Sequence, residues 1–324
     1  MVAKKVAVTD YCFDSLDIEE KILASAGLEL VGQRLYKDPQ TLISLVQDAD
    51  FVIAQFAPVT ANVIQAMQKC KVIVRYGIGV DNVDLAAAAA KNIPVCNVPD
   101  YCIDEVADTA LAMILDMTRK IAMNGLKVRS GVWGMAGPVS TLFTMRDMTI
   151  GVVGFGRIGR EVAARIKAFK GKVLVFDPGV NPSVIQAAGC EPASIDDIYR
   201  QSDLITLHCP SVAQTKYMIN RESIATMKDG VMIVNTSRGT LIKTDDLIAA
   251  LQSGKVSSAA LDVTDPEPIP PNSPLLKMDN VVINAHIASA SPHSVWTLRS
   301  SVANTVVKAF RGEPLPNVVN GVKA

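Results

Sequence analysis

The stretch Thr149–Pro178, TIGVVGFGRIGREVAARIKAFKGKVLVFDP, decides how the rest of the chain is read. A β-branched apolar run, Thr149 to Val153, leads into Gly154, Phe155, Gly156, Arg157, Ile158 and Gly159. Beyond them, the apolar positions Val162, Ala163, Ile166 and Phe169 recur at three- and four-residue steps. That spacing is one face of an α-helix, so the stretch predicts strand, glycine turn, helix. Gly171 closes the predicted helix, Lys172 to Phe176 reads as a second strand, and Asp177 stands at its end. Each piece suits a dinucleotide. Gly154 permits a tight turn, Gly156 lets the backbone approach a pyrophosphate, and Gly159 lets helix and strand pack closely. The helix N-terminus offers N–H groups and the positive end of its dipole to the phosphates. Asp177, roughly 20 residues on, would accept hydrogen bonds from the adenosine ribose and repel a 2′-phosphate, favouring NAD over NADP. The glycines alone are a weak signal; with the flanking strand, helix and acid they predict a dinucleotide site.

Composition narrows what surrounds this unit. The 324 residues suffice for two domains with substantial cores. Lys+Arg 32 balances Asp+Glu 32, which argues against nucleic acid or an acidic membrane surface as partner. No apolar run approaches bilayer-spanning length, so the expectation is a soluble cytoplasmic protein. Cys12, Cys70, Cys96, Cys102, Cys190 and Cys209 form no C-x-x-C pair and read as free, buried thiols, with no metal site.

Before Thr149 the pattern is α/β throughout. Lys5–Val8, Leu28–Val31, Phe51–Ala54, Lys71–Arg75 and Val95–Val98 read as strands. Ile18–Ala26, Pro39–Gln47, Ala61–Met67 and the alanine run Ala86–Ala90 read as helical. Gly77, Ile78 and Gly79 follow the fourth strand; such a turn is either purely structural or exposes N–H groups to a small anion such as a carboxylate. Pro99–Lys120 reads as one long helix crossing between domains, followed by a loop with Gly131, Trp133, Gly134 and Pro138. After Asp177, strands ending at His208, Asn235, Asp262 and His286 continue the alternation. Ligands bind beyond the carboxyl ends of parallel strands, so His208, Thr236, Arg238, Asp262 and His286 should converge on the cofactor. Ser291, Pro292 and Gly312 bound a last helix that returns the chain to the first domain. The expected architecture is α/β: a doubly wound parallel-sheet Rossmann domain over residues 102–290, and a smaller, discontinuous flavodoxin-like domain over residues 1–101 and 291–324.

Hydride exchange between a nicotinamide and a carbonyl needs a proton carrier and a cation for a charged substrate. Of three histidines, His208 reads as structural or a cofactor neighbour, His293 as a surface residue, and His286 as the candidate acid/base. Arg238 is either a surface ion-pair residue or a bidentate clamp for a carboxylate and its neighbouring carbonyl oxygen. Glu267, between Pro266 and Pro268, is a solvated loop acid taken alone. Beside His286 it would favour the imidazolium.

GFGRIG with Asp177, then LHCP with Thr215, NTSRG, LDVTDPEP and HIAS, in this order and with RYGIGVDNVD and EVAD upstream, resemble the D-2-hydroxyacid dehydrogenase family over roughly Lys71 to Asn320. The resemblance implies an NAD-dependent enzyme of a small 2-oxo or D-2-hydroxy acid, with Arg238, Glu267 and His286 as the catalytic set. It implies NAD contacts from Gly154, Gly156, Arg157, Ile158, Gly159, Asp177, His208, Cys209, Pro210, Thr215, Thr236, Ser237, Arg238, Asp262, His286, Ala288 and Ser289. It also implies a substrate-carboxylate site at Arg75, Tyr76, Gly77, Ile78 and Gly79, two domains that close to exclude water, and a homodimer through the NAD domain. CNVPDYCIDEVADTALAMIL is most similar to the C-terminal binding protein branch and its bacterial, phosphoglycerate dehydrogenase-like relatives, a group that includes NAD(H)-sensing co-repressors, so sensing with vestigial turnover is the alternative. Gln55 stands about where phosphoglycerate dehydrogenases place an arginine, which argues against a phosphorylated substrate.

Overall fold

The computed structural model describes residues 4–34 and 38–323; the domain limits drawn above at residues 1 and 324 lie outside the described residues. The chain forms two compact units, Met1–Tyr101 with Ser291–Ala324, and Cys102–Ala290.

In the first unit β1 (Lys4–Val8), α1 (Asp17–Ser25), β2 (Leu28–Gly32), α2 (Pro39–Val46), β3 (Phe51–Ala54), α3 (Ala61–Ala66), β4 (Ile73–Arg75), α4 (Leu85–Ala90) and β5 (Val95–Cys96) follow in order. All five strands are parallel, in the order β2-β1-β3-β4-β5. Every residue of β3 is buried, which is why it reads as a continuous apolar run rather than an alternating one. Local chemistry sets the helix starts: Asp38 accepts from the Thr41 N–H ahead of α2, and Asp84 from the Ala87 N–H ahead of the alanine helix α4.

The second unit holds α5 (Ile103–Arg119), α6 (Ile121–Arg129), β6 (Thr149–Val153), α7 (Arg157–Ala168), β7 (Lys172–Phe176), α8 (Pro182–Ala187), β8 (Glu191–Pro192), α9 (Ile195–Gln201) and β9 (Leu204–Leu207). It continues with α10 (Arg221–Thr226), β10 (Val231–Asn235), α11 (Thr244–Ser253), β11 (Val256–Leu261) and β12 (Val281–Ile283). Its seven parallel strands lie in the order β12-β11-β10-β9-β6-β7-β8. The order reverses direction at β6 and β9, so the crevice outside their carboxyl ends is the topological switch point of a doubly wound sheet. On one face Ala107, Ala110, Ile114 and Met117 of α5 join Val162, Ala163 and Ile166 of α7 in a core over β6.

The chain then returns to the first unit as α12 (Pro292–Arg311), whose Leu298, Val302 and Val306 pack with Val6, Phe51 and Val74. Ser291 caps it by accepting the Ser294 N–H, and Gly312 ends it at φ +71.

Three expectations need correction. The long helix does not cross between domains: α5 lies wholly in the second unit and stops at Arg119. Lys120 turns through φ +52, and a second helix, α6, occupies part of the expected loop. None of the residues of α6 is buried, so its sequence carries no helical stripe, and the Asp116 carboxylate secures it by accepting the Ala122 N–H. At the end of α7 the left-handed residue is Lys170 (φ +67), while Gly171 sits in a tight space, where a Cβ would lie 3.0 Å from Ile166 Cγ2 and 3.3 Å from Met145 O. The six thiols are free, but only four are buried; Cys70 is half-buried and Cys12 exposed. Among the described residues no helix is long and apolar enough to cross a membrane, and no cluster of His, Cys, Asp and Glu could hold a metal ion.

Candidate active site

The glycine turn after β6 is fixed by contacts that leave no room for side chains at two positions. Gly154 adopts φ +95, and a Cβ there would lie 2.6 Å from Cys209 N and 2.7 Å from His208 C. A Cβ on Gly159 would lie 2.0 Å from Gly154 O, so this glycine lets α7 sit against the turn. Gly156 differs: nothing lies within 4 Å of where its Cβ would be, which is open space at the N-terminus of α7. Asp177, at the end of β7, accepts the Phe155 N–H at 2.7 Å and the Gly179 N–H at 2.8 Å, tying the turn to the neighbouring strand.

The next strand ends wall the crevice. After β9, His208 shares a 2.8 Å hydrogen bond between Nε2 and Thr206 Oγ1, and burial lowers its pKa to about 4, which keeps the ring neutral near pH 7. Thr215 Oγ1 donates to the Pro210 carbonyl at 2.7 Å and accepts the Val212 N–H, fixing the loop that starts at Cys209. After β10, the buried Asn235 side chain accepts the Ser237 N–H at 3.0 Å and donates to the Arg238 carbonyl at 2.8 Å, while Ser237 Oγ donates to the Cys209 carbonyl at 2.6 Å. The Thr236 hydroxyl is buried with no partner among the described residues. A buried, unsatisfied hydroxyl at a strand end fits a ligand that would complete it.

Asp262 and His286 are joined more closely than their spacing announces. Asp262 is 1% exposed, and its two carboxylate oxygens accept the N–H groups of Ile287 and Ala288, each at 3.0 Å. The His286 N–H donates to the Asp262 carbonyl at 2.8 Å, and the residue itself adopts φ +55. The Ala288 carbonyl accepts Thr109 Oγ1 of α5, and Ser289 is half-buried beside it. This brace presents the His286 ring to Glu267, whose Oε1 lies 2.6 Å from His286 Nδ1. Burial pushes the Glu267 carboxyl up, but His286, the Thr264 amide and the Arg238 guanidinium outweigh it and hold the group below its ordinary range. Glu267 is therefore a carboxylate near neutral pH, with an imidazole nitrogen and a guanidinium as its neighbours. Arg238 Nη1 also donates to the Ser237 carbonyl at 2.8 Å.

Reading residue types missed three parts of this arrangement. Asn235 and Gly239 stood inside the quoted NTSRG run without a role. Gly239 is required because a Cβ there would lie 1.9 Å from Thr264 O, so it brings the Arg238 and Glu267 loops together. Tyr217, outside every motif, donates to Asp265 Oδ2 at 2.8 Å. An uncharged polar residue ending an apolar strand was the one available signal, and it pointed only to Asn235.

In the first unit, Gly77 adopts φ +138, and a Cβ there would lie 1.6 Å from Arg75 Nη1, so the Arg75 guanidinium folds over the turn. The Ile78 carbonyl accepts Asn97 Nδ2 at 2.6 Å, and Ile78 and Gly79 are half-buried. Tyr76 departs from expectation. It is 1% exposed and donates its hydroxyl to Glu19 Oε1 at 2.9 Å, in a buried cluster with Arg299, so its side chain belongs to the core. Adjacent positions point to opposite sides of an extended strand, and this separates Tyr76 from Arg75.

The model of the D-isomer specific 2-hydroxyacid dehydrogenase NAD-binding domain matches residues 111–288, more than half of the chain. The chain belongs to the D-isomer specific 2-hydroxyacid dehydrogenase family. It is 34% identical over 322 residues to the hydroxypyruvate reductase of Blautia hydrogenotrophica, covering 98% of this chain and 99% of that one. It is 38% identical over 269 residues to the D-3-phosphoglycerate dehydrogenase of Archaeoglobus fulgidus, covering 83% of this chain and 51% of that relative, so it spans about half the relative's length. The crystal structure of D-lactate dehydrogenase from Aquifex aeolicus, complexed with NAD and lactic acid, superposes with a TM-score of 0.86 at 28% identity, covering 96% of each chain. The dehydrogenase is thus an NAD-using oxidoreductase. Its glycine turn, the open space at Gly156 and the orphan Thr236 hydroxyl fit that cofactor.

Proposed function

We propose that this dehydrogenase interconverts a small, unphosphorylated 2-oxo acid of the glyoxylate or hydroxypyruvate type and its D-2-hydroxy acid. The observation that carries this reading is the 2.6 Å contact between Glu267 and His286 at a strand end, with Arg238 close enough to influence the same carboxylate. Gly154, Gly156 and Gly159 shape the phosphate site, with Arg157 and Ile158 supplying helix-terminal N–H groups and Asp177 meeting the ribose. Cys209, Pro210, Thr215, Thr236, Ser237, Asp262, Ala288 and Ser289 line the rest. NAD, when bound, supplies or takes up the hydride at the 2-carbon.

The chain's own residues handle proton and charge. His286, engaged through Nδ1 by Glu267, exchanges the proton of the 2-hydroxyl through Nε2. The carboxylate of Glu267 fixes the ring through Nδ1. Arg238 holds the substrate carboxylate and the oxygen where charge develops. In the first unit, the N–H groups of Gly77 to Gly79, with Arg75, make an anion site suited to a carboxylate. Two features support an unphosphorylated substrate. The matched hydroxypyruvate reductase is covered along its whole length, and the Gln55 side chain is buried with its carbonyl accepting the Cys12 N–H, so this position offers no cation to a phosphate. A carboxylate hydrogen-bonded to an imidazole is what proton transfer requires and what a pure NAD(H) sensor would not need, which favours enzyme over sensor.

Replacing Arg238 with Ala should lower kcat for hydroxypyruvate and glyoxylate by about 10²–10³-fold and leave NADH affinity within a few-fold. Wild-type turnover across a panel of 2-oxo acids would refute the assignment. We also infer a homodimer through the NAD domain. Ile121, Leu126 and Val128 of α6, followed by Val132 and the 90% exposed Trp133, put apolar surface into solvent. Sedimentation at the mass of one chain would exclude it.

A further inference from the structure

Tyr217 follows the loop of Cys209, Pro210 and Thr215 and adopts φ +52, a left-handed conformation that a bulky residue rarely takes. Its backbone N–H donates to the Thr240 carbonyl at 2.8 Å, and its hydroxyl donates to Asp265 Oδ2 at 2.8 Å. That hydrogen bond to Asp265 pushes the phenol up, so it remains a donor through the neutral range. One residue therefore connects the cofactor loop, the turn after Arg238 through its backbone, and, through its side chain, the turn that carries Glu267 two residues beyond Asp265.

The Asp265 turn needs such a tie. Its inner side rests on Gly239, but its outer side borders a cavity of about 400 Å³ lined by Tyr217, Thr244, Pro266, Ile269 and Pro270. On that side the Tyr217 hydroxyl and a 2.5 Å hydrogen bond from Thr244 Oγ1 to the Asp265 carbonyl hold the turn in place of packed core. A turn that borders a solvent-open pocket lacks packing on that side and has room to relax once a tie is cut.

We propose that Tyr217 is a positioning residue for the reaction: its hydrogen bond to Asp265 keeps the turn where Glu267 meets His286, and so links that carboxylate to the cofactor loop. The proposal rests on the role given to Glu267 above. The test is NADH-driven reduction of hydroxypyruvate by Tyr217→Phe, Asp265→Ala, Asp265→Asn and the Tyr217→Phe/Asp265→Ala double variant, with Glu267→Gln as reference. Loss of one hydrogen bond predicts about a tenfold fall in kcat for Tyr217→Phe and Asp265→Ala, with KM for NADH and for the oxo acid within about twofold. The double variant should be no slower than the slower single one, because both changes remove the same bond. Asp265→Asn, whose amide oxygen still accepts, should keep at least about half of kcat. Wild-type kcat in Tyr217→Phe, or multiplying losses in the double variant, overturns the tie while a slow Glu267→Gln leaves the site reading intact. Wild-type kcat in Glu267→Gln overturns both.

Discussion

After β6 the chain turns through Gly154 and Gly156 and enters α7 at Arg157, with no acid in the first helical turn. After β1 it turns through Thr9, Asp10 and Tyr11 and enters α1 with Asp17, Glu19 and Glu20 in the first turn. Both strands lie inside parallel sheets and both precede the first helix after their strand, yet the two turns use their polar groups differently. Asp10 is buried; its carboxylate accepts the N–H groups of Gln55 and Phe56 and the Thr9 hydroxyl, so its charge is satisfied within the protein. Asp177 also accepts two N–H groups but stays half-exposed, with lone pairs still able to meet a ligand. At the start of α1 Asp17 and Glu19 pair with Arg299 and Glu20 adds a further acid, so that helix start does not favour a phosphate; the start of α7, with no acid in its first turn, attracts one. Similar sheets therefore carry one cofactor site, and the turn decides which unit has it.

Three substitutions in one experiment can break this contrast, read by melting temperature and by NADH affinity. Gly159→Ala forces a Cβ to within 2.0 Å of Gly154 O. It should cost about 3 kcal/mol or more of stability and weaken NADH binding by at least about 100-fold, which corresponds to nearly 3 kcal/mol of binding energy. Asp10→Ala in the other unit leaves three donors without their acceptor and should cost about 2–4 kcal/mol, with NADH affinity unchanged. Gly156→Ala meets open space, so it should melt like wild type while binding NADH roughly tenfold more weakly. If Asp10→Ala and Gly159→Ala impaired NADH binding equally, the division of labour between the turns would be wrong.

How far such a contrast could be read beforehand depends on whether its causes are local. The β6–α7–β7 fingerprint was legible because strand pattern, glycines and acid all lie within Thr149–Asp177. Glu267 and His286 were legible as residue types in ordered motifs, but their contact depends on two loops meeting and on Asp262 holding the turn after β12. Asn235 bonds backbone groups of its own turn, Gly239 makes room for the Thr264 backbone and Tyr217 reaches the Asp265 carboxylate, and no periodicity encodes such partners. Helix α6 escaped for a related reason, since a helix that buries nothing in its own chain leaves no stripe to read. Tyr76 was grouped with its neighbours Arg75 and Gly77, although its side chain points into the core.

His208 offers the mildest test of the contrast, because it belongs to the wall against which the glycine turn packs: its backbone faces Gly154, and its Cβ lies 3.6 Å from where a Cβ on Gly159 would be. Burial lowers its pKa from 6.5 to about 4, so the folded wall takes up a proton less readily than the unfolded chain. For a histidine shifted downward, proton binding favours unfolding. Its contribution is therefore negligible above pH 6.5, becomes increasingly destabilising as pH falls toward 4, and levels off below that. The shift predicts about 2 kcal/mol of lost stability between pH 7 and pH 5 from this residue. Other groups titrate in the same range, so the informative quantity is the difference between wild type and His208→Gln, which keeps a side chain able to bond Thr206 but removes the titration. Urea unfolding at the two pH values should show wild type losing about 2 kcal/mol more than the variant. Equal losses would mean that the wall is open enough for the imidazolium to be solvated, and that the glycine turn rests against a wetter surface than its packing indicates.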